Sequence, residues 1–156
     1  MAWFHRSQDY FATIAPHLDS IDVESAPHSV ERQLERIPSP ANMLLAAHLL
    51  RADVRSGGFV HFFWNPVGVL APEAHDAFVV LGLHAAAEQI LEAMRVIGDP
   101  YPRTCEARRR KMEGVWDRTP ETRVMRDALA AHTRAFRSAL RWGRFTRAAN
   151  RLARLA

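Results

Sequence analysis

Residues 56–68 read Ser-Gly-Gly-Phe-Val-His-Phe-Phe-Trp-Asn-Pro-Val-Gly: two adjacent glycines, an aromatic run and an Asn-Pro stop. Gly57 and Gly58 interrupt the apolar period of the segment before them, and glycine is the residue that lets a chain bend tightly at positive φ. Phe59, Phe62, Phe63 and Trp64 supply bulk that a core buries. That run fits a helix or a short strand. In either form the double glycine reads as a bend inside a stack of helices, with Phe59, Phe62 and Phe63 as core, and not as a reactive pocket.

Upstream, Ser39 reads as an N-cap with Pro40 in the first turn, and Met43, Ala47, Leu50 and Val54 then line one helical face. Val30, Leu34 and Ile37 predict a short helix that Pro38 ends. Trp3, Phe4, Phe11, Ile14 and Leu18 share a face of an opening helix that Pro16 stops or kinks. Downstream, Pro72 and Glu73 open a helix carrying Ala74, Ala77, Phe78 and Leu81, with Gly82 placed for a C-terminal positive φ. Ala87, Ile90, Leu91, Met94 and Ile97 give the clearest amphipathic period, closed by Gly98, Asp99 and Pro100.

After Pro102, the apolar Ala107, Met112, Val115 and Trp116 predict a helix whose exposed face carries Arg108, Arg109, Arg110 and Lys111. Thr119-Pro120-Glu121 repeats the cap-then-proline start for a long helix through Val124, Met125, Leu129, His132, Phe136 and Leu140, toward Trp142 and a break at Gly143. Beyond it Phe145, Ala148, Ala149 and Leu152 oppose Arg144, Arg147, Arg151 and Arg154. No sustained apolar/polar alternation and no repeat occurs. The fold class is therefore all-α: a compact multi-helix domain over residues 1–142, with a basic amphipathic C-terminal segment over 143–156.

A chain of 156 residues, 48% hydrophobic and 24% charged, suits one globular domain. Its one cysteine, Cys105, has no internal disulfide partner, and neither a leader-like start nor a transmembrane run is visible, so a cytoplasmic location off the membrane is expected. Charge is lopsided: residues 1–100 hold 6 Arg and 12 Asp or Glu, a balance of −6, whereas 101–156 hold 15 Arg or Lys and 5 acids, a balance of +10.

Chemistry-bearing patterns are sparse. His84 and Glu88 share a helix face, but a zinc site needs a third ligand, which His61, His75 and His132 do not fix by spacing, so neither a metal nor a cofactor is expected. Asp127 and His132 are five apart, off a common face. Ser56-Gly57-Gly58 lacks the flanks of a nucleophile elbow, no glycine-rich loop ends in lysine and a hydroxyl, and Cys105 has no resolving partner. No catalytic activity is expected. The C-terminal arginines carry two readings. With no acid after Asp127, Arg137, Arg141, Arg144, Arg147, Arg151 and Arg154 form a ridge suited to anions or nucleic acid, or else a solvated face of a helix packed on the domain or on a second subunit.

The stretch from Met43 to Gly98 resembles the bacterial DNA-mimic protein family. The residues that carry the resemblance are Gly57, Gly58, Phe59, Phe62, Phe63, Asn65 and Gly68, then Leu81-Gly82, Ile90-Leu91 and Ala93; Ser56 stands where the family has asparagine and His61 where it has glutamine. The resemblance implies a helical, often homodimeric protein that presents an acidic surface in place of DNA to a DNA-binding regulator. Mimicry requires negative charge spaced like phosphates, from which a sequence pI near 10.2 departs. The leading expectation is a non-catalytic interaction domain that binds another protein. A nucleic-acid-associated protein using the arginine-rich end comes second, and a true DNA mimic third.

Overall fold

The computed structural model describes residues 9–155, and within them the chain is all-α with no strand. The helices are α1 (Tyr10–Ile14), α2 (Pro27–Glu35), α3 (Ala41–Trp64), α4 (Ala71–Val80), α5 (His84–Ile97), α6 (Cys105–Lys111), α7 (Pro120–Ala139) and α8 (Arg144–Arg154), with short 3₁₀ turns at Ala15–His17, Pro66–Leu70 and Arg141–Gly143. α3, α4, α5 and α7 close a ring in which each packs on the next and α7 returns to α3; α6 crosses the end of α3, and α1 lies on α3 and α8. α8 follows directly on the break at Gly143, yet its Phe145, Ala148 and Ala149 are buried in the same core as the ring.

A continuous line of aromatic rings runs through that core. Tyr101 meets Phe63, Phe63 stacks on Phe59, and Phe59 meets Phe136, which meets Phe78, then Phe145, then Tyr10, with neighbouring ring centroids 5.4–5.8 Å apart. Such pairs contribute about 0.5–1.5 kcal/mol each beyond the area they bury. The run after the double glycine is helix, and the glycines are where that helix bends: α3 is continuous except at Gly58, whose φ of 76° and ψ of −177° are not helical.

Several local expectations are corrected. Ser39 does not cap α3; Pro40 holds the N-cap position without a side-chain acceptor, and the Pro38 carbonyl and the Asn42 side chain accept the first amides instead. Phe11 and Leu18 are exposed, because α1 is a single turn that buries Tyr10 and Ile14, and the 3₁₀ turn after it shifts the period. Trp3 and Phe4 lie outside the described residues. Val124 is 77% exposed, one turn into α7 and ahead of its packed region around Leu129 and Phe136.

The largest correction is Arg108, which is fully buried and not on an exposed basic face. Its Nε–H donates to the Phe63 carbonyl at 2.9 Å, Nη2 to those of Asn65 at 2.9 Å and Pro66 at 3.4 Å, and Nη1 to that of Arg103. Carbonyls at a helix C-terminus lack intrahelical partners and carry partial negative charge, so a guanidinium inserted there satisfies both demands. Arg109 Nε–H donates to the next carbonyl, Trp64, at 2.9 Å, with its guanidinium over the Trp64 ring. Burial lowers the pKa of Arg108 from its ordinary value, opposed by the neighbouring Tyr101, whose own pKa burial raises. Gly68 makes room: a Cβ there would lie 2.8 Å from both Arg108 Nε and the Phe62 carbonyl oxygen.

The Arg108 site carries a first prediction, tested by two variants. Arg108→Met leaves the buried carbonyls unpaired and costs about 3–5 kcal/mol, a drop of roughly 10 °C in melting temperature. Gly68→Ala costs about 1–3 kcal/mol by forcing the same guanidinium aside. Thermal melts check both, and an Arg108→Met variant melting like wild type refutes the capping role. The second prediction concerns the His48 imidazole, whose Nδ1 lies 2.9 Å from the Tyr10 hydroxyl. Burial holds its pKa below the ordinary 6.5, with Arg51 adding to the effect and Asp9 opposing it. The unfolded chain therefore takes up the proton first, so this contribution to stability is complete above about 6.5 and is lost as the pH falls below it toward the folded-state value. The urea midpoint should fall on acidification in wild type and fall less in His48→Gln; equal slopes would locate the effect elsewhere.

Candidate functional site

A groove of about 360 Å³ opens between α2, α3 and α4, lined by Glu31, Leu34, Glu35, Asn42, Met43, Ala46, Glu73 and Asp76. Its composition follows from helical spacing. Glu31 and Glu35 each follow a buried residue of α2, Val30 and Leu34, and so border that helix's apolar stripe; Glu73 and Asp76 flank the buried Ala74 of α4 in the same way. Leu34, Met43 and Ala46 give the groove apolar walls.

Arg103, from the loop before α6, donates from Nη1 to Glu31 and from Nη2 to Glu73 at 2.7 and 2.9 Å, with a further bond to the Val69 carbonyl at 2.8 Å. Asp76 is 82% exposed at its side chain and meets only His75 Nδ1, at 2.9 Å, while Glu35 has no ion-pair partner among the described residues. Four carboxylates thus surround the groove, and one arginine reaches two of them.

The double-glycine bend is built differently. Because Gly58 breaks the helical ladder, the Phe59 amide donates to Thr133 Oγ1 of α7 at 3.0 Å, and that hydroxyl donates to the Leu129 carbonyl at 2.8 Å. The carbonyls of Val54 and Arg55, freed by the same break, accept from Arg137 Nη2 at 3.0 and 3.3 Å. Gly57 serves close approach: a Cβ there would lie 2.5 Å from His61 Cβ. On the outer side His61 Nδ1 lies 3.3 Å from Asp53, and the Asn65 amide donates to Asp53 at 3.3 Å and lies 3.2 Å from His61 Nδ1. One imidazole and one carboxylate meet here with no nucleophile between them. Among the described residues no three His, Cys, Asp or Glu side chains gather in a way that could hold a metal ion.

The residues singled out in the sequence therefore separate. Phe59, Phe62 and Phe63 are core, Gly57, Gly58, His61 and Asn65 form the bend and its outer face, and Gly68 faces Arg108. The arginines do not form one continuous helical ridge: Arg137 bridges α7 to α3, Arg141 lies in the 3₁₀ turn, and Arg144, Arg147, Arg151 and Arg154 lie exposed along α8. Arg103, Glu31, Glu35 and Asp76 carry no signal that singles them out in the sequence, Glu73 reads there only as a helix start, and Arg108 as part of an exposed basic face. A usable signal existed for Arg108, which falls at spacings of three, four and three with Cys105, Met112 and Val115, on the buried stripe of its own segment.

The bend yields a third prediction. Gly58→Ala forces an alanine to φ 76° and ψ −177°, a region essentially restricted to glycine, and costs about 1–3 kcal/mol. Gly57→Ala clashes with a fixed Cβ, so pairing it with His61→Ala gives no relief while pairing it with His61→Gly does; urea denaturation of the two pairs decides, and equal recovery in both removes the steric account.

No curated protein and no solved structure matches the chain. The family described as DMP19-like protein matches residues 35–153, a span that takes in α3 through α8, the bend, the Arg108 cap and the α3 and α4 walls of the groove. With that span covered, the chain belongs to the DMP19-like protein family.

Proposed function

We propose that this chain is a non-catalytic interaction domain of the DNA-mimic type, and that it binds a basic protein partner through the α2–α3–α4 groove. The observation that carries the reading is the pairing of four carboxylates with apolar walls in one groove, against a single contacting guanidinium. Carboxylates select a basic partner, and the half-buried Met43, over a floor of the buried Leu34 and Ala46, gives it an apolar contact beside them, the combination that protein–protein contacts use. Family membership supports the same reading, since a protein that stands in for DNA must show carboxylates to a basic surface. The groove is a compact cluster and not an extended phosphate-like track, so the partner is defined by its positive charge and not by DNA geometry. A homodimer acting in the cytoplasm completes the proposal; no helix among the described residues is long and apolar enough to cross a membrane.

Glu35 and Asp76 are the carboxylates that Arg103 does not hold, so Glu35→Gln with Asp76→Asn changes the groove while leaving those ion pairs in place. Nuclease-treated host lysate, passed over immobilised wild type and the double variant at two salt concentrations, should yield a basic protein that the variant retains about tenfold less well. Equal capture by both proteins, or capture that disappears with nuclease, sinks the groove as the binding surface.

A further inference from the structure

Among the described residues Trp142 stands out as the largest side chain that the fold does not use. It is 81% exposed, and its φ of 63° and ψ of 31° place a bulky residue in the left-handed region. Both features cost stability: a non-glycine residue there is strained, and an indole in water buries nothing. Gly143, beside it at φ 68°, shows the residue such a turn favours. Among the described residues the indole pairs with no aromatic ring and no guanidinium lies over it, whereas Trp64 has both.

The surroundings of Trp142 are cationic. Arg141 precedes it, Arg144 follows two residues on, and Arg147 folds back to donate to the Trp142 carbonyl, which fixes the turn. Arg144, Arg147, Arg151 and Arg154 are all exposed along α8, opposite the buried Phe145, Ala148, Ala149 and Ala153. They cover about 15 Å of helix at 1.5 Å per residue. An exposed aromatic plate at the head of a line of guanidinium groups is the arrangement that holds an unpaired strand: the plate stacks a base and the guanidinium groups track the phosphates. A duplex keeps its bases stacked on each other and offers the indole no free face. A membrane surface needs apolar depth, and along α8 and its cap, among the described residues, only the half-buried Leu152 and the exposed Leu155 supply it.

We propose that Trp142 and the α8 arginines form a binding site for single-stranded nucleic acid, separate from the acidic groove. Trp142 stacks a base, and Arg144, Arg147, Arg151 and Arg154 contact the backbone without base preference. Trp142→Gly is the informative variant because it relieves the backbone strain, so the protein melts no lower than wild type while the plate is gone.

The test is fluorescence anisotropy with a labelled oligo-dT of about 15 nucleotides, at about 50 and 200 mM salt. Wild type should bind, and more weakly at the higher salt. Trp142→Gly should bind about tenfold more weakly at both salts with its salt slope unchanged, and Trp142→Phe should recover most of the loss. Arg144→Gln with Arg151→Gln should keep the stacking and flatten the salt slope by about 1.4. The site is overturned if wild type does not bind at the lower salt, if Trp142→Gly binds as well as wild type, or if a duplex of matching length competes as effectively as the single strand. It is equally overturned if phosphatidylserine vesicles, or a second copy of the chain, show the dependence on Trp142 and the oligonucleotide does not.

Discussion

The fold depends on how the bent helix α3 has its carbonyls satisfied. A straight helix leaves unpaired carbonyls at one end only; bending it at Gly58 creates a second set in its middle, next to the core. Each set is met by an arginine from elsewhere in the chain, Arg137 of α7 at Val54 and Arg55, and Arg108 of α6 at Phe63, Asn65 and Pro66. The two contacts fix where α6 and α7 sit on α3. The choice of arginine is physical: its planar fork reaches several carbonyls at once and its charge is weakly hydrated, whereas a lysine ammonium is a compact, strongly hydrated point charge that desolvates at greater cost. With no carboxylate against Arg108, the backbone dipole at the helix end and four carbonyl oxygens stand in for a counter-ion.

The bend also sets the geometry of the aromatic core. Gly58 reorients the last turns of α3 so that Phe59 meets Phe136 of α7 while Phe63 reaches Tyr101, and the line of rings continues through Phe78 and Phe145 to Tyr10. The Tyr101 hydroxyl then donates to the Gly68 carbonyl at 2.6 Å, in the same turn that Arg108 occupies. Core packing and polar capping therefore share one segment, residues 57–68. Gly57, Gly58, Phe59, Phe62, Phe63 and Gly68 each have a contact or a buried place there that a larger or polar residue would lose.

The sequence showed the helices more plainly than their mutual fit. Apolar spacing, the Thr119 cap, which accepts from the Thr122 amide, and the glycines that end or break helices at 82 and 143 all carry local signals, and the structure bears them out. The errors at Ser39, Phe11, Leu18 and Val124 arose where a residue type was correct for a role that a neighbour or a shortened helix took over. At Arg108 charge and period conflict: its spacing places it on the buried stripe, and only the end of α3, some forty-five residues earlier in the chain, explains why a guanidinium belongs inside. The groove was less legible still. Glu31, Glu35, Glu73 and Asp76 each look like an ordinary border residue of an amphipathic helix, and their convergence exists only once α2 and α4 lie on either side of Met43 and Ala46.

The charge asymmetry also acquires a meaning that the totals hide. A formal net charge of +4 repels a basic partner at long range, so the groove cannot steer one from a distance. Its carboxylates act inside about 8 Å, the screening length at physiological salt, where local sign outweighs net charge. A surface of that kind contributes orientation and selectivity after encounter, with little gain in association rate. Arg103 fits this division of labour. By holding Glu31 and Glu73 it rigidifies one rim of the groove at the expense of local negative charge, leaving Glu35 and Asp76 as the groups whose charge a partner can still meet.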